Sequence, residues 1–177
     1  MYTITSGIFI HFGHHIRGHD GPCISLHGHT WQFQVTVQAT ELDDQGFILD
    51  FDKLQARVLD PCHALLDHGF AMGADTWSET KDDFTNLGEK FVRTRHETIG
   101  SLGDRQPGFE GELIGARNEW PGGVKVAVFP FTPTSERLAK WLFELGQKVV
   151  GDDRVSLQSA RIFETMHPVE FVAEYRP

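Results

Sequence analysis

The chain has 177 residues and a net charge of −9 with its ten histidines neutral. That length suits one domain with a core of its own, and that charge offers no broad phosphate-neutralising surface for nucleic acid. No apolar run is long enough to cross a bilayer, and no basic start followed by an apolar stretch marks an export signal, so the chain reads as cytoplasmic with no membrane partner.

The opening stretch ITSGIFIHFGHH puts Ile4, Ser6, Ile8, Ile10, Phe12 and His14 on one parity, which predicts a half-buried strand. RGHDGPC is dense in turn residues and predicts a loop. HGHTWQFQVTVQA alternates, with His27, His29, Trp31, Phe33, Val35 and Val37 on one face, and predicts a second strand. ELDDQG reads as a turn. After it, Phe51, Leu54, Val58, Cys62 and Leu65 recur at helical spacing, with Asp50 capping the helix or steadying the adjacent turn, and Pro61 interrupting the helix or ending its regular part. Trp31, Phe33 and Phe51 read as core. A second helix is expected over PTSERLAKWLFELGQKVV, capped by Thr134 or Ser135, with the stripe Leu138, Trp141, Leu142, Leu145 and Val149. VSLQSARIFET and VEFVAEY read as closing strands.

The segment 69–130 is rich in glycine and acidic residues and has little sustained periodicity. It reads as an irregular insertion with a short strand at VKVAVF. The order strand, strand, helix, insertion, helix, strand, strand predicts one α+β domain over residues 1–177, with antiparallel pairs.

Six histidines lie at positions 11, 14, 15, 19, 27 and 29. His27 and His29 are two residues apart on a strand, so their side chains point the same way. His14 has the parity of the buried side of the preceding strand. If the two strands form a hairpin, three imidazoles converge. Three neutral imidazoles bind Zn2+ and leave a fourth position open. His15 competes with His14 but points to the other face. His11 has the wrong parity, and His19 lies in the loop. A stretch of ordinary core and surface histidines is the alternative.

The pieces FGHHIRGHDGPCISLHGHTW, GFILDFDKL, LLDH, PTSE and ET, in this order, resemble the family of 6-pyruvoyl-tetrahydropterin synthase and bacterial 6-carboxy-tetrahydropterin synthase. The resemblance implies a T-fold ββααββ domain: an antiparallel sheet with two helices on one face, and here a long insertion before the second conserved helix. It implies zinc ligands at His14, His27 and His29, a catalytic cysteine at Cys23, and a catalytic aspartate and histidine at Asp67 and His68. It places pterin recognition on Glu164, with Thr134, Ser135 and Glu136 lining the pocket. The three-residue gap between Cys23 and His27 is similar to the bacterial branch. That branch acts on 7,8-dihydroneopterin triphosphate, releases acetaldehyde and triphosphate, and serves queuosine and 7-deazaguanine synthesis. A homohexamer built as a dimer of trimers is implied as well.

Chemistry agrees with these roles. A thiolate beside zinc or an imidazolium is a competent base, an aspartate can orient a histidine for proton exchange, and a glutamate can accept two hydrogen bonds from a pterin edge. Cys62, on the apolar stripe, reads as inert. A triphosphate needs cations, and Arg17, Lys53, Arg93, Arg95, Arg105 and Arg117 are candidates. Two departures from the family pattern stand out: LLDHGFAMG lacks the second histidine and the Tyr-Leu-Asn stretch, and the link to PTSE is long. A pyruvoyl-type synthase, an aldolase-like lyase and a non-catalytic zinc-stabilised pterin-binding or assembly protein are the competing functions.

Overall fold

In a computed structural model, residues 1–99, 108–165 and 170–177 are described, with the side chains of 94–99 left aside. Strand β1 (Tyr2–His14) follows the alternation of its sequence: the even positions from Ile4 to His14 are covered, and Thr5, Gly7, Phe9 and His11 are exposed. Strand β2 (His27–Ala39) alternates too, with Trp31, Phe33, Val35 and Val37 fully buried. Aromatic and β-branched side chains suit such a half-covered pleated face. The turn after β2 is built by Asp43, whose carboxylate accepts the Gln45 and Phe47 N–H groups.

Asp50 caps α1 (Phe51–Leu54), accepting the Asp52 N–H at 2.9 Å. The helix then widens into a π turn, Gln55–Leu59, and resumes as α2 (Asp60–Leu66). Pro61 explains the widening. It has no N–H for the carbonyl of Arg57, and its ring would crowd that carbonyl in a regular helix. Leu54, Val58, Cys62 and Leu65 are fully buried as the stripe requires. Phe51 corrects the sequence reading: it is 54% exposed, because it is the first helical residue and lies at the open end of the stripe.

Among its described residues, the segment 69–130 is not irregular. It contains β3 (Phe70–Gly73), α3 (Ala74–Ile99), β4 (Arg117–Glu119) and β5 (Val126–Phe129). The last is the strand expected in VKVAVF. After it come α4 (Ser135–Val150), β6 (Val155–Thr165) and β7 (Phe171–Tyr175). The seven strands form one sheet in the order β4-β5-β3-β1-β2-β6-β7. The pairs β2–β6, β6–β7 and β4–β5 are antiparallel, as expected. The pairs β1–β3 and β3–β5 are parallel, and α3 supplies the long crossover that the β3–β5 pair needs.

The chain divides into two compact units, one of Met1–His11, His29–His63 and Thr134–Pro177, the other of Phe12–Gly28 and Ala64–Pro133. In the first, the Thr134 hydroxyl caps α4, and Leu138, Trp141, Leu142 and Leu145 of that helix are buried where it packs on β6 and β7. In the second, Met72, Trp77, Val126 and Val128 form a core against which Phe70 and Phe84 pack. There α3 approaches the turn Pro121–Gly123 through Gly88, where a Cβ would collide with the Pro121 carbonyl oxygen. Among the described residues, no helix is long and apolar enough to cross a membrane.

Candidate functional site

His14 ends β1, where Gly13 and His14 are in register with Phe70 and Ala71 of β3. The residue is 1% exposed. Its Nδ1 lies 3.0 Å from the Pro133 carbonyl oxygen. A carbonyl can only accept, so Nδ1 carries the hydrogen and Nε2 of the neutral ring presents a lone pair. His27 opens β2 and is fixed in the same tautomer, with Nδ1 donating to the Ser25 carbonyl at 2.8 Å. The two Nε2 atoms then face each other at 3.1 Å.

With both rings neutral, two lone pairs would face each other at that distance and repel, and a proton or a cation between the rings removes the repulsion. Two imidazole nitrogens on one tetrahedral zinc would stand about 3.3 Å apart, from the usual zinc–nitrogen bond length. The spacing therefore fits a metal, and the carbonyl partners are of the kind that orient metal-binding histidines.

His29 stands one residue beyond Gly28 on the same face of β2 as His27. Its Nε2 is 3.4 Å from Glu164 Oε1, and its ring meets Trp31 edge-on. The Ser135 hydroxyl donates to the other carboxylate oxygen of Glu164. Each unit thus presents candidate metal ligands, His14 and His27 in one and His29 and Glu164 in the other. The competing histidines bond elsewhere: His15 to the Ile24 carbonyl, His11 to the Thr30 hydroxyl, and His19 to the Gly21 N–H.

Cys23 lies in the short 3-10 turn Pro22–Ile24 as a partly buried free thiol, and its carbonyl accepts the Ile16 N–H at 3.0 Å. It is not among these four candidate ligands. Asp67 and His68 follow α2, and Asp67 Oδ2 accepts from His68 Nδ1 at 2.6 Å. Asp67 thus holds the imidazole by Nδ1, on a ring whose side chain is 61% exposed. His68 is left-handed, at φ 55, the conformation that ends many helices. Ser135 is buried, Thr134 is half-buried, and Glu136 faces solvent on the first turn of α4. The structure therefore brings Ser135 to Glu164 and leaves Glu136 outside that contact. Burial pushes the Cys62 thiol far up, so it stays neutral and inert.

Among the candidate cations, Arg17 makes a two-pronged bond to Glu79 on α3, both contacts at 2.8 Å. Arg117 pairs with Glu119. Lys53 lines a separate cavity of about 380 Å³ with Arg57, Asp152 and Arg154. Arg93 is exposed. The Arg95 side chain and Arg105 lie outside the described residues. Sequence reasoning missed Lys125 and Asn118, both inside the insertion. Lys125 is 3% exposed, and its ammonium donates to the Asp67 carbonyl at 2.7 Å. A lone lysine ahead of VAVF gave only a faint signal.

Residues 3–176 match a sequence model of the family described as 6-pyruvoyl tetrahydropterin synthase. The chain belongs to this family. A 6-carboxy-5,6,7,8-tetrahydropterin synthase of Haemophilus influenzae is 27% identical over 184 residues, spanning 99% of each chain. One of Rickettsia bellii is 26% identical over 93% of this chain and 95% of its own. Among solved structures, an uncharacterised protein of Wolinella succinogenes has a TM-score of 0.67 at 21% identity, covering 99% and 97% of the two chains. The 6-pyruvoyl tetrahydropterin synthase of Caenorhabditis elegans has a TM-score of 0.54 at 17% identity, covering 99% and 95%. Such identities speak for fold, and the fold is the T-fold of the pterin synthases.

Proposed function

We propose that this member of the pterin synthase family is a zinc-dependent 6-carboxy-5,6,7,8-tetrahydropterin synthase. It converts 7,8-dihydroneopterin triphosphate and water to 6-carboxy-5,6,7,8-tetrahydropterin, acetaldehyde and triphosphate, as a step toward queuosine and related 7-deazaguanines. The observation that carries this reading is the facing Nε2 pair of His14 and His27, in a chain aligned over 99% of its length with a relative of that name.

His14, His27 and His29 hold the zinc. When bound, the ion supplies a Lewis acid that makes the hydroxyls and the neighbouring C–H of the substrate side chain more acidic. Glu164 accepts hydrogen bonds from the amino group and ring N–H of the pterin, and the Ser135 hydroxyl fixes the rotation of its carboxylate. Thr134 and Glu136 complete that side of the pocket. Cys23, as thiolate, takes the proton from the side-chain carbon. His68 exchanges protons with the side-chain hydroxyl through Nε2, while Asp67 holds Nδ1.

The active enzyme is a cytoplasmic homohexamer, a dimer of trimers. The sheet ends at β4 and β7, and such edges are blunted by pairing with another subunit. A second reading has a specific observation behind it. Glu164 Oε1 stands 3.4 Å from His29 Nε2, and a fourth protein ligand would close the metal site into a structural one.

The test is mass-spectrometric analysis of products after the zinc-loaded protein meets 7,8-dihydroneopterin triphosphate. The expected products are 6-carboxy-5,6,7,8-tetrahydropterin, acetaldehyde and triphosphate. A 6-pyruvoyl-tetrahydropterin product would change the assignment to the pyruvoyl reaction, and glycolaldehyde would change it to an aldolase-type cleavage. Absence of turnover with zinc bound would replace it with a pterin-binding or assembly role.

A further inference from the structure

The insertion reaches the end of α2, where the Asp67–His68 pair is presented. Asn118 donates from Nδ2 to the Leu65 carbonyl at 2.7 Å, and its Oδ1 accepts the Phe109 N–H at 2.6 Å. Lys125 donates from Nζ to the Asp67 carbonyl at 2.7 Å. The backbone carbonyl of Lys125 accepts the Phe70 N–H at 3.1 Å. Lys125 therefore grips the chain on both sides of His68 and Gly69. Gly69 closes the helix by donating to the Leu66 carbonyl at 3.0 Å, and a Cβ there would sit 3.2 Å from Lys125 Cγ.

A cation at a helix C-terminus is favourable, because the last carbonyls carry partial negative charge. An exposed helix end needs none, since water can satisfy those carbonyls. Here the ammonium belongs to a residue that is 3% exposed. Taking an ammonium out of water is costly unless strong partners hold it. Burial pulls the Lys125 ammonium toward neutrality, and the charge of Asp67 opposes that pull. A neutral amide or hydroxyl would cap the same carbonyl without that cost. Lysine adds a positive charge behind Asp67, which favours the carboxylate that holds His68 Nδ1–H.

We propose that Lys125, assisted by Asn118, is a positioning residue. It fixes the orientation and tautomer of His68 through Asp67, and the insertion thereby builds the support of the acid–base pair. This rests on the reading of Asp67 and His68 as that pair.

The test is a double-mutant cycle on the full-length, zinc-loaded protein, with the folded fraction checked by circular dichroism. Lys125→Met should lower kcat about tenfold to a hundredfold while KM stays within about threefold. His68→Ala should lower kcat about a hundredfold or more. The double variant should be no slower than His68→Ala alone, because Lys125 acts through His68. Lys125→Arg should recover most of kcat, and the 15N shifts of the His68 ring should report a mixed tautomer only in Lys125→Met. If the methionine variant does not fold, Lys125→Gln keeps a donor for the carbonyl and removes the charge, and the same cycle applies. A crippled His68→Ala beside a Lys125 variant with wild-type kcat would overturn the positioning role and leave the pair standing. So would an equal loss from Lys125→Met in both backgrounds. Wild-type turnover in His68→Ala would overturn the reading of the pair itself, and this role with it.

Discussion

The Pro133 carbonyl holds the Nδ1 hydrogen of His14 at 3.0 Å, and that bond aims Nε2 at His27. Because the acceptor is backbone, this bond does not depend on a partner side chain. His14→Ala should therefore abolish stoichiometric zinc, read as about one ion per wild-type chain by elemental analysis after gel filtration. His15→Ala should retain the zinc, since His15 is committed to the Ile24 carbonyl. Equal zinc loss in both would contradict the ligand assignment.

Ser135 and Glu164 are bonded through hydroxyl and carboxylate, and this pair separates the two roles open to Glu164. As the pterin acceptor, Glu164→Gln should keep zinc and raise KM by about tenfold or more, because an amide presents a donor where the pterin also donates. As a fourth ligand, the same change should release zinc. Metal content and KM measured on one preparation decide between them.

Acid should weaken the turn between α4 and β6. The Asp152 carboxylate accepts the Val155 N–H at 2.6 Å and the Arg154 N–H at 2.8 Å, and these bonds hold its pKa below the ordinary aspartate range. The unfolded chain then takes up this proton first as pH falls. The stability it contributes is present above about pH 4 and is lost as pH falls through the depressed folded value. Asp152→Asn should lower Tm at pH 7 and flatten the fall of Tm below about pH 4. An unchanged acid limb in thermal melts would sink this.

Gly88 sets how closely α3 meets the Pro121–Gly123 turn. Alanine is the better helix former by about 1 kcal/mol, but its Cβ would strike backbone that has no rotamer to escape into. Overpacking of this kind costs about 1–3 kcal/mol, so Gly88→Ala should lower the denaturation midpoint. A stabilised variant would show that the turn is not held against the helix.

The strands that carry the histidines were legible because each is covered on one face. Parity alone put His14 with Ile10 and Phe12, and His27 and His29 with Trp31. Asp50 and Thr134 were legible as caps because cap chemistry is local. The insertion was not legible for physical reasons. Helix α3 is mostly polar, with Trp77 and Phe84 seven residues apart and Gly88 in its interior, so its apolar stripe is sparse. Strands of three and four residues such as β4 and β3 show too few alternations to register a period. The parallel pairing of β3 with β5 depends on that unread helix. Lys125 was hidden because nothing local distinguishes a buried ammonium that bonds a carbonyl 58 residues away from an exposed one.

The most direct measurement is product identification with zinc-loaded wild-type protein and the Cys23→Ala variant side by side, each supplied with 7,8-dihydroneopterin triphosphate. The account predicts 6-carboxy-5,6,7,8-tetrahydropterin with acetaldehyde and triphosphate from the wild type, and a rate at least about a hundredfold lower from the variant at equal zinc content. Wild-type product yield from Cys23→Ala, or no product from zinc-loaded wild type, would contradict it.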